Sequence, residues 1–87
     1  MVSQKVKIIN ESGVHARPAS ILAKTAMKCD SDIVIKVGER NVNPKSVINL
    51  MAAAIKKDTE VVVECTGNSE KEDLKVIIDL INSGLGE

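Results

Sequence analysis

The sequence contains no phenylalanine, tyrosine or tryptophan, so any core must be built from aliphatic side chains. The same absence removes the stacking platforms on which single-stranded nucleic acids are held. Charge of one sign is also missing, because twelve Lys and Arg balance twelve Asp and Glu. No broad field therefore attracts nucleic acid or an anionic membrane. No apolar run approaches the ~20 residues that span a bilayer. Met1-Val2-Ser3-Gln4-Lys5-Val6 lacks the long apolar segment of a secretory signal. These absences point to the cytoplasm. Cysteine is scarce: Cys29 and Cys65 match no zinc or redox spacing, and a reducing compartment favours free thiols. Both are expected to serve as small buried apolar residues. Histidine is scarcer still, and His15 alone completes no metal site.

What is present suffices for one small core: 87 residues without a low-complexity tract. Val2, Gln4, Val6 and Ile8 alternate with Ser3, Lys5 and Lys7, the pattern of a half-buried strand. Ser12-Gly13 signals a turn. From about Ala16 to Lys28, Ala19, Leu22, Ala23 and Ala26 recur at helical spacing, with Arg17, Ser20, Lys24 and Lys28 opposite. Pro18 falls in the first turn, where its missing N–H costs no intrahelical bond.

Ile33, Ile35 and Val37 mark a second strand, Gly38-Glu39 a tight turn, and residues 40–42 a short third strand. After Asn43-Pro44-Lys45, Ser46 is a natural N-cap. Residues 47–55 have helical length but apolar side chains on every side. So short a helix cannot bury its whole circumference, and some of Val47, Ile48 and Met51 should be exposed. Residues 56–58 read as a polar turn, residues 60–65 as a fourth strand rich in β-branched side chains. Ser69 with Glu72 predicts a capping box for a last helix, whose apolar stripe is Leu74, Ile77, Ile78 and Ile81. Gly84 is placed to end it. The order β-α-β-β-α-β-α predicts an α+β, two-layer open-faced sandwich. Its four-stranded, mainly antiparallel sheet would carry three helices on one face.

His15 stands where the first helix begins. Imidazole titrates near pH ~6.5, so a neutral, nucleophilic ring nitrogen is available at neutral pH. The unpaired amides of a first helical turn favour an anion, and Arg17 offers charge-assisted hydrogen bonds to phosphoryl oxygens. A covalently held phosphoryl group would suit this place. From the residues alone, a polar cap or a solvent-exposed surface histidine remains the simpler account.

Gly13-Val14-His15-Ala16-Arg17-Pro18-Ala19 resembles the active-site motif of the HPr family, the histidine-containing phosphocarriers of the bacterial phosphoenolpyruvate:sugar phosphotransferase system. Pro44-Lys45-Ser46-Val47-Ile48-Asn49-Leu50-Met51 resembles the regulatory serine and following helix of its Gram-positive members. The length, element order and Gly84-Leu85-Gly86-Glu87 tail are similar as well, so the resemblance covers residues 1–87 as a single HPr-like domain.

The resemblance implies a phosphoryl carrier rather than an enzyme, with a covalent phosphohistidine. Enzyme I would charge His15, and IIA domains of sugar permeases would discharge it. Arg17 would stabilise the phosphate, joined by the backbone amides of Ala16 and Arg17. No metal and no organic cofactor is implied. Ser46 would be the target of HPr kinase/phosphorylase, and its phosphorylated form the ligand of the catabolite control protein. Ser20, Lys24, Met27, Val47, Ile48 and Met51 match the partner surface. A monomer is the simplest state for a carrier that shows one site to several partners.

Two positions depart from the family pattern: Ala54 and Asp58 stand where many relatives carry glycine. Three rivals remain on the sequence. A nitrogen-branch carrier would use the same chemistry. A regulatory paralogue of the Crh type would lack the histidine. From another class, a small ligand-binding or assembly domain of similar α+β architecture would need no His-Ala-Arg-Pro motif.

Overall fold

The computed structural model describes residues 1–86; Glu87, the end of the tail that resembles the family, lies outside the described residues. Four strands, β1 (Val2–Lys7), β2 (Asp32–Val37), β3 (Arg40–Val42) and β4 (Glu60–Thr66), form one antiparallel sheet in the order β1-β4-β2-β3. Three helices, α1 (Ala16–Met27), α2 (Val47–Ala52) and α3 (Glu70–Asn82), cover one face. This is the expected open-faced α+β sandwich. The first strand joins the last, Val2 opposite Cys65 and Lys7 opposite Glu60, so β4 lies inside the sheet between β1 and β2.

Alternation drives the layering. In β4, Val61, Val63 and Cys65 turn inward and are buried, while Val62 and Glu64 are half-buried between them. In β2, Ile33 and Ile35 are the buried pair. From the helices, Leu22, Leu50, Ile77 and Ile81 meet them in a core without a single aromatic ring. Truncating such a residue to Ala costs about 2–5 kcal/mol, because the cavity it leaves refills only in part. Cys29 and Cys65 are free thiols buried in this core.

Helix ends follow local chemistry, with two departures from expectation. Ser46 caps α2, its Oγ accepting from the Asn49 N–H at 3.2 Å. However, α2 stops at Ala52 rather than continuing to residue 55. Ala54 takes a left-handed φ of 51°, which reverses the chain and turns Ile55 into the core. The expected Ser69–Glu72 capping box does not form. Ser69 is the N-cap residue of α3, but its Oγ donates to Asp73 at 2.8 Å, and Glu70 instead accepts from the Gly67 N–H at 3.2 Å. A buried carboxylate one turn into the helix attracts the hydroxyl more strongly than a backbone amide does. At the other end Gly84 adopts φ 91°, and Leu85 donates back to the Leu80 carbonyl at 3.2 Å. That is a Schellman close, and it buries Leu85 completely. No helix among the described residues is long and apolar enough to cross a membrane.

Candidate functional site

The segment before α1 is a clasp. Asn10 is buried; its Nδ2 donates to the Gly13 carbonyl, and the Gly13 N–H returns a bond to the Asn10 carbonyl at 3.0 Å. Gly13 takes φ 68°, and a Cβ there would run into the Ile55 carbonyl oxygen and stand 2.9 Å from the Lys56 Cα. Only glycine admits so close an approach in that conformation. The next residue seals the contact, Val14 donating to the Ile55 carbonyl at 2.8 Å while its side chain is buried.

This anchorage delivers His15 to the surface as the N-cap residue of α1. Its backbone is extended (φ −100°, ψ −159°), and its carbonyl accepts the first helical bond, from the Ala19 N–H at 2.8 Å. Its side chain does not cap the helix. The amides of Ala16 and Arg17 precede that first bond, and Pro18, buried beneath them, has no N–H. His15, Ala16 and Arg17 are all exposed. An anion held by the ring would meet the positive end of the helix, an interaction of about 0.3–1 kcal/mol at an exposed position.

His15 also opens onto a shallow hollow of ≈ 280 Å³, with Ser12 and Val14 on one wall and Met51, Ala54, Ile55 and Lys56 on the other. Arg17 stands outside this hollow. Lys56 and Ser12 carried no functional expectation from sequence, since residues 56–58 read only as a polar turn. The single local signal was Gly13, which marks a close backbone approach without naming its partner.

The expected partner-facing residues share one region. α1 and α2 pack on each other. Lys24 and Met27 on α1 are exposed and Ser20 is half-buried. On α2, Ile48 is 80% exposed and Met51 46% exposed, while Val47 is half-buried. Ile48 is thus an aliphatic side chain almost wholly in solvent on a six-residue helix. Met51 connects this apolar surface to the His15 hollow.

Ser46 does not line that hollow. Its Oγ accepts from both the N–H and the Nδ2 of Asn49, at 3.2 and 3.1 Å. The loop ahead of it is pinned: Lys45 donates through Nζ to the carbonyls of Cys29 (3.2 Å) and Ser31 (2.9 Å), and through its N–H to Asn43 Oδ1 (3.0 Å). At the far end of α2, Arg40 donates to the Ala53 carbonyl at 2.6 Å, another contact that sequence reasoning did not anticipate. Among the described residues, no three His, Cys, Asp or Glu side chains gather to ligate a metal.

Comparison with known proteins places this geometry. Residues 2–83 match the family model described as the PTS HPr component phosphorylation site. The phosphocarrier protein HPr of Mycoplasma capricolum is 44% identical over 70 residues, covering 80% of this chain and 79% of its own length. A crystal structure of HPr from Thermoanaerobacter tengcongensis superposes with a TM-score of 0.94 at 34% identity, covering 100% of this chain and 98% of that one. Crh, a catabolite repression protein of Bacillus subtilis that forms a swapped dimer, superposes with a TM-score of 0.77 at 32% identity, covering 95% of each chain. Fold alone therefore does not separate an HPr from a Crh-type relative. Matched along nearly its whole length, the chain belongs to the HPr phosphocarrier family of the phosphotransferase system.

Proposed function

We propose that His15 carries the phosphoryl group, taking it from Enzyme I and passing it to the IIA domains of sugar permeases. The observation that supports this reading is the placement of one exposed imidazole at the N-cap of α1, ahead of the amides of Ala16 and Arg17 and beside the exposed Arg17 side chain. In each transfer, the lone pair of a neutral ring nitrogen forms the N–P bond. The donor's bond to phosphorus breaks, and its electron pair stays with the donor. The reverse displacement, by a nucleophile of the acceptor, returns His15 to its starting state. The chain is thus a carrier that is itself the substrate of its partners.

Arg17 and the amides of Ala16 and Arg17 bind the phosphoryl oxygens, which carry roughly −1.5 to −2 charge at neutral pH. Ser20, Lys24, Met27, Val47, Ile48 and Met51 form the docking surface, where apolar Ile48 and Met51 supply buried area and Lys24 supplies charge. The work is cytoplasmic and is done by a single domain.

Ser46 is the regulatory site, phosphorylated by HPr kinase/phosphorylase and then read by the catabolite control protein. Its hydroxyl already faces the amide of Asn49, so a phosphate there meets a helix start and is accommodated without refolding. The added charge stands next to Val47 and Ile48 and opposes apolar docking of Enzyme I.

Incubation with Enzyme I and phosphoenolpyruvate tests the carrier role by intact mass. An acid-labile phosphate lost in His15→Ala is expected, and absence of transfer to the native chain would overturn the reading. Arg17→Ala should be charged more slowly with its fold unchanged. With HPr kinase and ATP, an acid-stable phosphate should appear and vanish in Ser46→Ala.

A further inference from the structure

We propose that the Lys56 ammonium is a second phosphate ligand, holding the phosphoryl group at His15 from the side opposite the helix start; this deepens the carrier reading of His15 and rests on it. Three observations carry the inference. First, Lys56 and His15 line the same hollow, from which Arg17 is excluded. Its remaining walls include Val14, Met51, Ala54 and Ile55, so a phosphoryl group turned this way meets mainly apolar surface unless a cation compensates it. A flexible four-carbon stem ending in a compact point charge is suited to that task.

Second, the backbone that bears Lys56 is fixed to the backbone that bears His15. Val14 donates to the Ile55 carbonyl at 2.8 Å, and Gly13 lies so close that a Cβ would stand 2.9 Å from the Lys56 Cα. The Thr59 N–H, at 3.2 Å, holds the Lys56 carbonyl from the other side. The backbone of Lys56 is therefore held in a set place relative to that of His15.

Third, the local charges leave Lys56 uncompensated. The neighbouring Lys57 is ion-paired with Glu11 at 2.7 Å, and the exposed carboxylate of Asp58, two residues on, forms no ion pair with Lys56. α2 contributes no acidic side chain, and Arg17 and Lys24 on α1 are basic. Among the described residues, Lys56 has no ion-pair partner, so its charge is available to an incoming anion.

The test charges the purified chain with phosphoramidate, which needs no protein donor. The ring nitrogen forms the N–P bond as ammonia departs with the electrons of the P–N bond it loses. The second ionisation of the phosphohistidine is then titrated by its ³¹P shift. Removing a nearby cation disfavours the dianion, so Lys56→Gln should move that ionisation upward by about 0.2–0.7 pH units. Lys56→Arg should restore it, and Lys57→Gln, whose charge is already paired, should leave it in place. An unchanged titration in Lys56→Gln overturns the proposal while leaving His15 as carrier. No phosphohistidine in the native chain overturns both. Lys56 is exposed and its backbone bonds survive substitution, so the variants should unfold at the native temperature.

Discussion

The Val14 N–H lies 2.8 Å from the carbonyl oxygen of Ile55, joining the loop that presents His15 to the loop that leaves α2. This bond couples the site to the middle of the chain, and Gly13 makes it attainable. Gly13→Ala forces a Cβ into the Ile55 carbonyl in a left-handed conformation, so it should cost about 1–3 kcal/mol in chemical denaturation. Phosphoryl uptake should slow as well, since the loop can relieve the clash only by moving His15. Gly38→Ala is the control. It has a similar φ of 62° but open space around it, and should cost about 1–2 kcal/mol with uptake unchanged. Equal uptake in the two variants would refute the coupling.

Ala54 occupies a left-handed φ of 51°, a conformation that strains any residue with a Cβ. Replacing it with glycine should therefore stabilise the protein by about 1 kcal/mol. In a domain of this size that corresponds to a rise of roughly 4–8 °C in melting temperature. Asp58, at φ 68°, should respond less to the same change, because Asp tolerates this region through local hydrogen bonding. Ala54 and Asp58, where the family resemblance led glycine to be expected, both take positive φ, as does Leu85 near the end of the described residues.

Ser46→Ala removes the oxygen that receives the Asn49 N–H and should cost about 0.5–2 kcal/mol in denaturation. Ser46→Asp keeps an acceptor and should recover most of that loss. If it does so while slowing phosphoryl transfer from Enzyme I, capping and regulation are separate properties of one residue. Transfer at the native rate would argue against charge at this position as the inhibitory signal.

Acid stability should depend on Asp73. Its carboxyl is held below the usual carboxylate range, chiefly by the Ser31 hydroxyl, which lies close without reaching ordinary hydrogen-bond geometry. Burial opposes this, while the Ser69 hydroxyl and the Ser31 N–H add to it, at 2.8 and 3.0 Å. A depressed folded value means that the unfolded chain binds the proton first. The stabilisation is therefore complete above the unfolded pKa of about 3.9 and is lost as pH falls through the lower folded one. Asp73→Asn should lower the melting temperature at pH 7 and flatten its fall below pH 4. An unaltered acid limb would assign that fall to other groups.

Burial pushes the Cys65 thiol up to about 11, and nearby Asp73 adds to the effect. At pH 8 only about one thiol in a thousand would then be ionised, and the thiolate is the reactive form. Cys65 should resist a thiol reagent until the protein unfolds, with labelling that follows the denaturation curve. Rapid labelling of the native chain would show that β4 opens locally.

The sequence by itself determined the layer plan and named the candidate for the reactive residue. Period-two runs at Ile33–Ile35 and Val61–Val63 and the stripe Leu74–Ile77–Ile78–Ile81 state which faces are buried, because local geometry dictates those periods. Family resemblance at residues 13–19 singled out His15, and the Ser46 cap was legible from one side chain and the helix after it. Where α2 ends was not legible, since Ala53, Ala54 and Ile55 are acceptable helix residues and only the need to bury Ile55 turns the chain at Ala54. Nor was the failure of the Ser69–Glu72 box, which a buried Asp73 overrides. The second wall of the His15 hollow was decided by tertiary structure alone. Residues 54–56 lie some forty positions beyond the histidine, and only the close approach at Gly13 and the bond from Val14 to Ile55 bring Lys56 to it.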